Sequence, residues 1–113
     1  MGVFDARREE AAAALAAGIA GYALGVGQGE ILESARGSAQ TAFARQVAMY
    51  LCHVAFELSL SRVAQAFGRD RSTVAHACHV IEDRRDEESF DALIETLEAT
   101  LRRAPAPALE LGS

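Results

Sequence analysis

Apolar residues recur at intervals of three and four along most of this chain, and no stretch alternates strictly between apolar and polar residues. This spacing indicates amphipathic helices and argues against strands. Half of the residues are hydrophobic and only 6% are aromatic, which favours closely packed helices around one small core. We therefore predict an all-α fold, with one compact helical domain over residues 1–104 and a flexible, proline-containing tail over residues 105–113.

The helix boundaries are predicted from residues that commonly begin or end helices. The first helix covers residues 5–24 and is followed by three glycines, a single helical turn at residues 30–32 and a polar loop. The expected N-caps of the four later helices are Thr41, Ser59, Asp70 and Ser89. The expected inward faces are Leu15, Ile19 and Tyr22; Phe43, Val47, Tyr50, Leu51 and Val54; Leu60, Val63 and Phe67; Val74, Cys78 and Ile81; and Phe90, Leu93, Leu97 and Leu101.

Two short helices joined by a turn at Gly68 predict a helix-turn-helix over about residues 59–82. The small side chain of Ala64 allows the first helix to approach its partner closely. Near the start of the second helix, polar residues are expected to face outward: Arg71, Ser72, Thr73 and His76. A helix N-terminus also offers free N–H groups to phosphate. Spacing alone leaves DNA binding and an ordinary helical hairpin as equal alternatives.

The net charge of −5 is unevenly distributed along the chain. Residues 1–35 carry −3, residues 36–81 carry +3 and residues 82–113 carry −5. A polyanion responds to the field within about one Debye length, roughly 8–10 Å, so the basic middle segment can attract DNA although the chain is acidic overall. A solvated surface with chance clustering is the alternative.

Several other functions are disfavoured by composition. All eleven basic residues are arginine, so the sequence has no lysine for a P-loop or a Schiff base, and Gly25, Gly27 and Gly29 do not form a dinucleotide fingerprint. The cluster of Cys52, His53, His76, Cys78 and His79 lacks the spacing of a zinc site, and a Cys/His nucleophile pair is equally disfavoured. We expect no catalytic site, no cofactor and no metal. With two cysteines and no apolar run of about 18–20 residues, we expect a soluble cytoplasmic protein.

Three segments together resemble the DNA-binding C-terminal domain, domain IV, of the bacterial replication initiator DnaA. They are ARQVAMYL at residues 44–51, LSL at residues 58–60 and AFGRDRSTVAHAC at residues 66–78. The similarity extends from about Ile19 to Leu101. It implies a Trp-repressor-like, all-helical domain that binds double-stranded DNA, with the second helix in the major groove and a loop arginine in the minor groove.

Position by position, the resemblance implies base contacts by Asp70, Arg71, Ser72 and Thr73, with Arg36 as the minor-groove arginine. Side chains of these types suit the edges of base pairs, since arginine can clamp guanine and a carboxylate can accept from cytosine. The candidate phosphate contacts are Arg45, His53, Arg62, Arg69 and His76.

The chain departs from the family pattern in its turn, its loop and its base-reading residues. Gly68 stands alone where two glycines are usual, Arg71 replaces a histidine, and the loop before Arg36 is poor in basic residues. Fewer phosphate contacts predict lower affinity and a shallower dependence on salt. The family's ATPase motif requires a lysine that this sequence does not contain.

We therefore expect a stand-alone, nucleoid-associated transcription regulator. Some relatives of this type are associated with activating phage-like gene-transfer clusters. Its partner would be double-stranded DNA, with help from a second copy or from a protein at the promoter, bound to the acidic surface of residues 82–98. No membrane or nucleotide partner is expected. The alternatives are a replication regulator that competes at initiator boxes and a protein-interaction module that has lost DNA binding.

Overall fold

A computed structural model describes residues 2–33 and 37–104, the side chains of residues 2–6 excepted. Within these ranges the chain forms six helices and no strand, which confirms the all-α prediction. The predicted tail at residues 105–113 lies outside the described residues. The helices are α1 (Gly2–Leu24), α2 (Gln28–Leu32), α3 (Ala39–Ala55), α4 (Leu60–Phe67), α5 (Arg71–Arg84) and α6 (Glu88–Arg103).

The central helix is α3, which packs against each of the other five helices. It begins one turn earlier than predicted, because Ser38 and not Thr41 is its N-cap. The Oγ atom of Ser38 accepts a hydrogen bond of 3.1 Å from the backbone N–H of Thr41. Thr41 therefore lies in the first turn, where it is buried, and the prediction that it caps the helix is wrong.

The buried face of α1 consists mostly of alanines, with Glu9 and Gly21 buried as well, and α1 packs against α3 and α4 among other helices. The prediction that Tyr22 faces inward is wrong, since 92% of its surface is exposed; Leu15 and Ile19 are only half-buried. Large side chains on this face would push the helices apart, whereas alanine allows their backbones to approach. The buried alanines are Ala12, Ala13, Ala16, Ala17 and Ala20.

A close turn connects α1 to α2. The carbonyl of Gly21 accepts hydrogen bonds from the N–H groups of Gly25 (2.8 Å) and Val26 (2.9 Å), and Gly25 has a φ of +76°. A Cβ atom on Gly21 would lie 2.2 Å from the carbonyl oxygen of Val26, so only glycine fits there. The short helix predicted at residues 30–32 is confirmed as part of α2, which carries the fully buried Ile31.

Helices α4 and α5 form the predicted helix-turn-helix. The Oγ atom of Ser59 accepts from the N–H of Arg62, which confirms this N-cap, and Gly68 ends α4 with a φ of +66°. Asp70 occupies the N-cap position of α5 but makes no side-chain capping hydrogen bond. The buried residues of the pair are Val63, Ala64 and Phe67 of α4 and Val74, Ala77 and Ile81 of α5, whereas Cys78 is half-buried.

The last helix, α6, is capped at Glu87 and not at Ser89 as predicted. Phe90, Leu97 and Leu101 are buried as expected, and Ile94 is buried in addition, whereas Leu93 is only half-buried. A polar network joins α6 to the ends of α3 and α5. In it, Arg85 donates to the hydroxyl of Tyr50 (2.9 Å) and to the carboxylates of Asp91 and Glu98, while Tyr50 donates to Glu82.

Candidate nucleic-acid interface

The first turn of α5 presents four consecutive exposed residues, Asp70, Arg71, Ser72 and Thr73. They are exposed because the helix is fixed from its other side, where Val74 and Ala77 are almost completely buried. The structure thus places the four predicted base-contacting residues in one cluster at the start of the second helix of the helix-turn-helix.

The chemistry of this cluster suits polar recognition. The backbone carbonyl of Asp70 accepts the first hydrogen bonds of α5, which come from the N–H groups of Thr73 and Val74. The N–H groups of Arg71 and Ser72 lie before these first bonds of the helix. The guanidinium of Arg71 makes no hydrogen bond or ion pair with any residue that the structure describes. His76 is also exposed, and it lies one turn along from Ser72 and Thr73. Donors and acceptors are therefore available on one solvent-facing edge.

The predicted minor-groove residue, Arg36, lies outside the described residues. The chain enters the segment 34–36 from Glu33, whose carbonyl oxygen accepts a 3.0 Å hydrogen bond from the guanidinium of Arg69. Arg69 directly precedes Asp70 in the turn between α4 and α5. The last described residue before segment 34–36 is thus hydrogen-bonded to the turn that leads into the exposed cluster.

Arg45, one of the predicted phosphate contacts, is buried. Only 8% of its surface is exposed, and its guanidinium donates to the carbonyl oxygens of Ile31 (2.7 Å), Glu30 (3.1 Å) and Glu33 (3.3 Å). These carbonyls belong to the end of α2, where a helix lacks internal donors. Burial, and next the nearby charge of Arg69, lower the pKa of Arg45.

The remaining predicted phosphate contacts occupy different surroundings. Arg62 is exposed on α4 and forms an ion pair of 3.4 Å with Glu9 of α1, whose side chain is only 9% exposed. His53 is half-buried, and its Nδ1 lies 2.8 Å from the carbonyl oxygen of Leu58, so Nδ1 carries the hydrogen of that bond. Arg69 is half-buried beside the exposed cluster.

Neither cysteine resembles a reactive thiol. Burial raises the pKa of Cys52 to about 12 and that of Cys78 to about 11, so both are protonated at neutral pH. Across residues 2–33 and 37–104, no group of three or more His, Cys, Asp or Glu side chains could hold a metal ion.

Several carboxylates of the acidic surface of residues 82–98 make contacts within the molecule. The carboxylates of Glu82, Asp91 and Glu98 bind Tyr50 or Arg85 in the polar network, and only 12% of the Glu98 side chain is exposed. No local pattern predicts this network, since its hydrogen-bonded partners are as many as 35 positions apart in the chain. The role of the Glu33 carbonyl as a hydrogen-bond acceptor was likewise not predicted, because a backbone acceptor does not depend on the type of side chain.

Among the described residues, no helix is both long enough and apolar enough to span a bilayer.

Comparison with known proteins gives a consistent result. The family model for the bacterial DnaA protein helix-turn-helix matches residues 22–81. The chromosomal replication initiator protein DnaA of Tropheryma whipplei (strain Twist) is 37% identical over 67 residues, which cover 58% of this chain and 14% of the relative. The DnaA protein of Lachnoclostridium phytofermentans is 39% identical over 70 residues, covering 60% of this chain and 16% of the relative. The chain thus matches only about a seventh of the length of these relatives.

A solved structure shows the same fold. A crystal structure of a DNA replication initiation factor superposes with a TM-score of 0.74 at 31% sequence identity, covering 85% of this chain and 30% of that one.

Proposed function

This chain belongs to the family of bacterial DnaA helix-turn-helix domains, and from that premise we propose that it binds double-stranded DNA by placing the first turn of α5 in the major groove. The observation that carries the proposal is the exposed cluster of Asp70, Arg71, Ser72 and Thr73 at the N-terminus of a helix whose opposite side is buried.

Each member of the cluster has a suitable partner on a base edge. Arg71 has the planar donor fork that binds the O6 and N7 atoms of guanine, and Asp70 can accept from the amino group of cytosine. The hydroxyl and methyl groups of Thr73, with the hydroxyl of Ser72, suit neighbouring bases. Because arginine stands where the family usually has histidine, the preferred sequence differs from the family's at that base step.

Contacts outside the cluster fix the orientation of the domain on the duplex. We assign phosphate contacts to Arg62, Arg69, His53 and His76, and the adjacent minor groove to Arg36. With so few cations, the affinity falls less steeply with salt than in a richly basic domain, because each neutralised phosphate contributes about 0.9 to the slope of log K against log salt.

The biological role that we propose is transcription regulation on the bacterial nucleoid, including activation of phage-like gene-transfer genes. A second candidate is regulation of replication by competition at initiator boxes, and the 37–39% identity to two replication initiators favours it. A map of genomic occupancy distinguishes the two, since promoters would be enriched in the first case and initiator boxes in the second.

Selection from random duplex oligonucleotides tests the binding itself. We expect one sequence to be enriched, and Arg71→Ala to lose about 1–3 kcal/mol of discrimination at a single base step without loss elsewhere in the site. Arg103→Ala is the control, because it removes an exposed arginine from the last turn of α6. If the parent chain enriches no sequence even at low salt, groove reading is refuted and an interaction module remains.

A further inference from the structure

The carbonyl oxygen of Glu33 accepts hydrogen bonds from two arginines that come from different parts of the fold. Arg45 of α3 reaches it at 3.3 Å, and Arg69 of the α4–α5 turn reaches it at 3.0 Å. Arg45 also binds the carbonyls of Glu30 and Ile31, so it holds the end of α2 at three points. The end of α2 is therefore connected both to the central helix and to the residue that precedes Asp70.

This arrangement brings two positive charges close together, which is electrostatically unfavourable. Burial lowers the pKa of Arg45 most and the charge of Arg69 lowers it further, so both disfavour its ionised form, whereas the carboxylate of Glu33 raises that pKa. What compensates for the repulsion is the geometry of the guanidinium, a rigid fork of five donors that can serve several carbonyls at once. A lysine ammonium carries its three donors on a single nitrogen, so it cannot reproduce contacts that Arg45 makes from two separate nitrogens, Nε and Nη2.

We infer that Arg45 is a positioning residue: with Arg69 it clamps the end of α2 to the turn before α5, and it does not bind a DNA phosphate. The inference rests on the proposed function for the role of α5. The consequence is that sequence discrimination depends on Arg45, although Arg45 touches no base.

A phosphate contact and a positioning residue respond differently to substitution. A phosphate contact depends on charge, so lysine would preserve it, and its removal would lower the salt slope by about 0.9. A positioning residue depends on the fork, so lysine would fail to replace it and the salt slope would stay almost unchanged. The two substitutions Arg45→Lys and Arg45→Met therefore separate the two roles.

The experiment measures duplex affinity of the full chain on the selected sequence and on a scrambled one, at several salt concentrations. For Arg45→Lys we expect the ratio of the two affinities to fall about tenfold, and for Arg45→Met, which removes the charge, we expect a change in slope below about 0.3. Arg45→Lys keeps the charge and serves alone if Arg45→Met does not fold, and Arg103→Met controls for the loss of one charge. Both arginines bind one carbonyl. The loss of sequence discrimination in the double variant Arg45→Lys/Arg69→Met is therefore expected to be smaller than the sum of the losses in the two single variants.

A readout without DNA accompanies these measurements. We expect the backbone amide resonances of residues 69–73 to shift in Arg45→Lys, since the clamp that it loosens lies next to them. If Arg45→Lys keeps the parent's discrimination and its amide resonances, the inference is wrong and the proposed function stands. If the parent chain itself binds no duplex, the proposed function fails and the inference fails with it.

Discussion

Replacing Gly21 with alanine should destabilise the domain strongly, although alanine is the better helix former. The new Cβ atom would lie 2.2 Å from the carbonyl oxygen of Val26, whereas contacts of a Cβ atom are essentially never closer than 3.0 Å. About 1 Å of backbone movement is therefore required, and the 2.9 Å hydrogen bond from the Val26 N–H to the Gly21 carbonyl would be lost or lengthened.

The magnitude follows from three contributions. Overpacking costs about 1–3 kcal/mol, and the rigid backbone partner places this case near the upper end. The lost hydrogen bond adds about 1 kcal/mol, and the preference of a helix for alanine over glycine returns about 0.5–1 kcal/mol. The net loss is about 3 kcal/mol. For 113 residues, an unfolding entropy of about 2.1 cal/mol/K per residue converts this to a fall in Tm of about 12 °C.

Gly18→Ala is the matched control on the same helix. Its Cβ atom would meet only the amide end of Gln28 at 3.4 Å, an ordinary van der Waals distance, so we expect a gain of about 0.5–1 kcal/mol. Circular dichroism during thermal and urea unfolding measures both variants. If Gly21→Ala is within about 0.5 kcal/mol of Gly18→Ala, the close approach at the α1–α2 turn does not exist and the packing argument is refuted.

Three further predictions concern caps and buried groups. Ser38→Ala should cost about 1 kcal/mol of stability, because the side chain of Ser38 makes a capping bond. Asp70→Ala should cost little stability but weaken DNA discrimination, because the side chain of Asp70 makes no capping bond. Urea unfolding and duplex binding test the pair, and equal stability losses would contradict the reasoning. Burial raises the pKa of Tyr50 from 10.0 to about 12, so the unfolded chain releases this proton first and the free energy of unfolding should fall as the pH rises from 10 to 12. Tyr50→Phe should lack that component of the fall, and identical pH profiles would show that Tyr50 does not supply it. Iodoacetamide at pH 8 should modify the half-buried Cys78 before the fully buried Cys52, as peptide mapping would show, and the reverse order would contradict the observed burial.

Local signals predicted the helix-turn-helix well and the flanking helices less well. Gly68 marks the end of α4 unambiguously, because its φ of +66° suits glycine, and Ser59 is a cap both by residue type and by geometry. Ser89 has the right side chain for a cap, but the extended backbone that a cap requires occurs at Glu87. Residue type therefore predicts a cap only where the chain conformation agrees.

Residue type is also an incomplete guide to which face of a helix is buried. In α1 the large apolar residues suggested the inward side, yet the close contacts are made by alanines, since the space between the helices suits small residues there. The exposure of Arg71, Ser72 and Thr73 was predictable from the apolar stripe on the other side of the helix. The burial of Arg45 was not predictable, because it depends on carbonyls 12 to 15 positions earlier in the chain.

The alanine face of α1 has a consequence for where this domain should be cut. The family model begins at residue 22, yet Ala16 and Ala17 are completely buried before that boundary, and Ile94 and Leu101 are buried well after residue 81. A fragment trimmed to the matched segment would lose two sides of its interior and expose the surfaces of α3 that α1 and α6 cover. The buried interior thus extends beyond the segment that the family model matches. Any excised or transplanted version must therefore retain both α1 and α6.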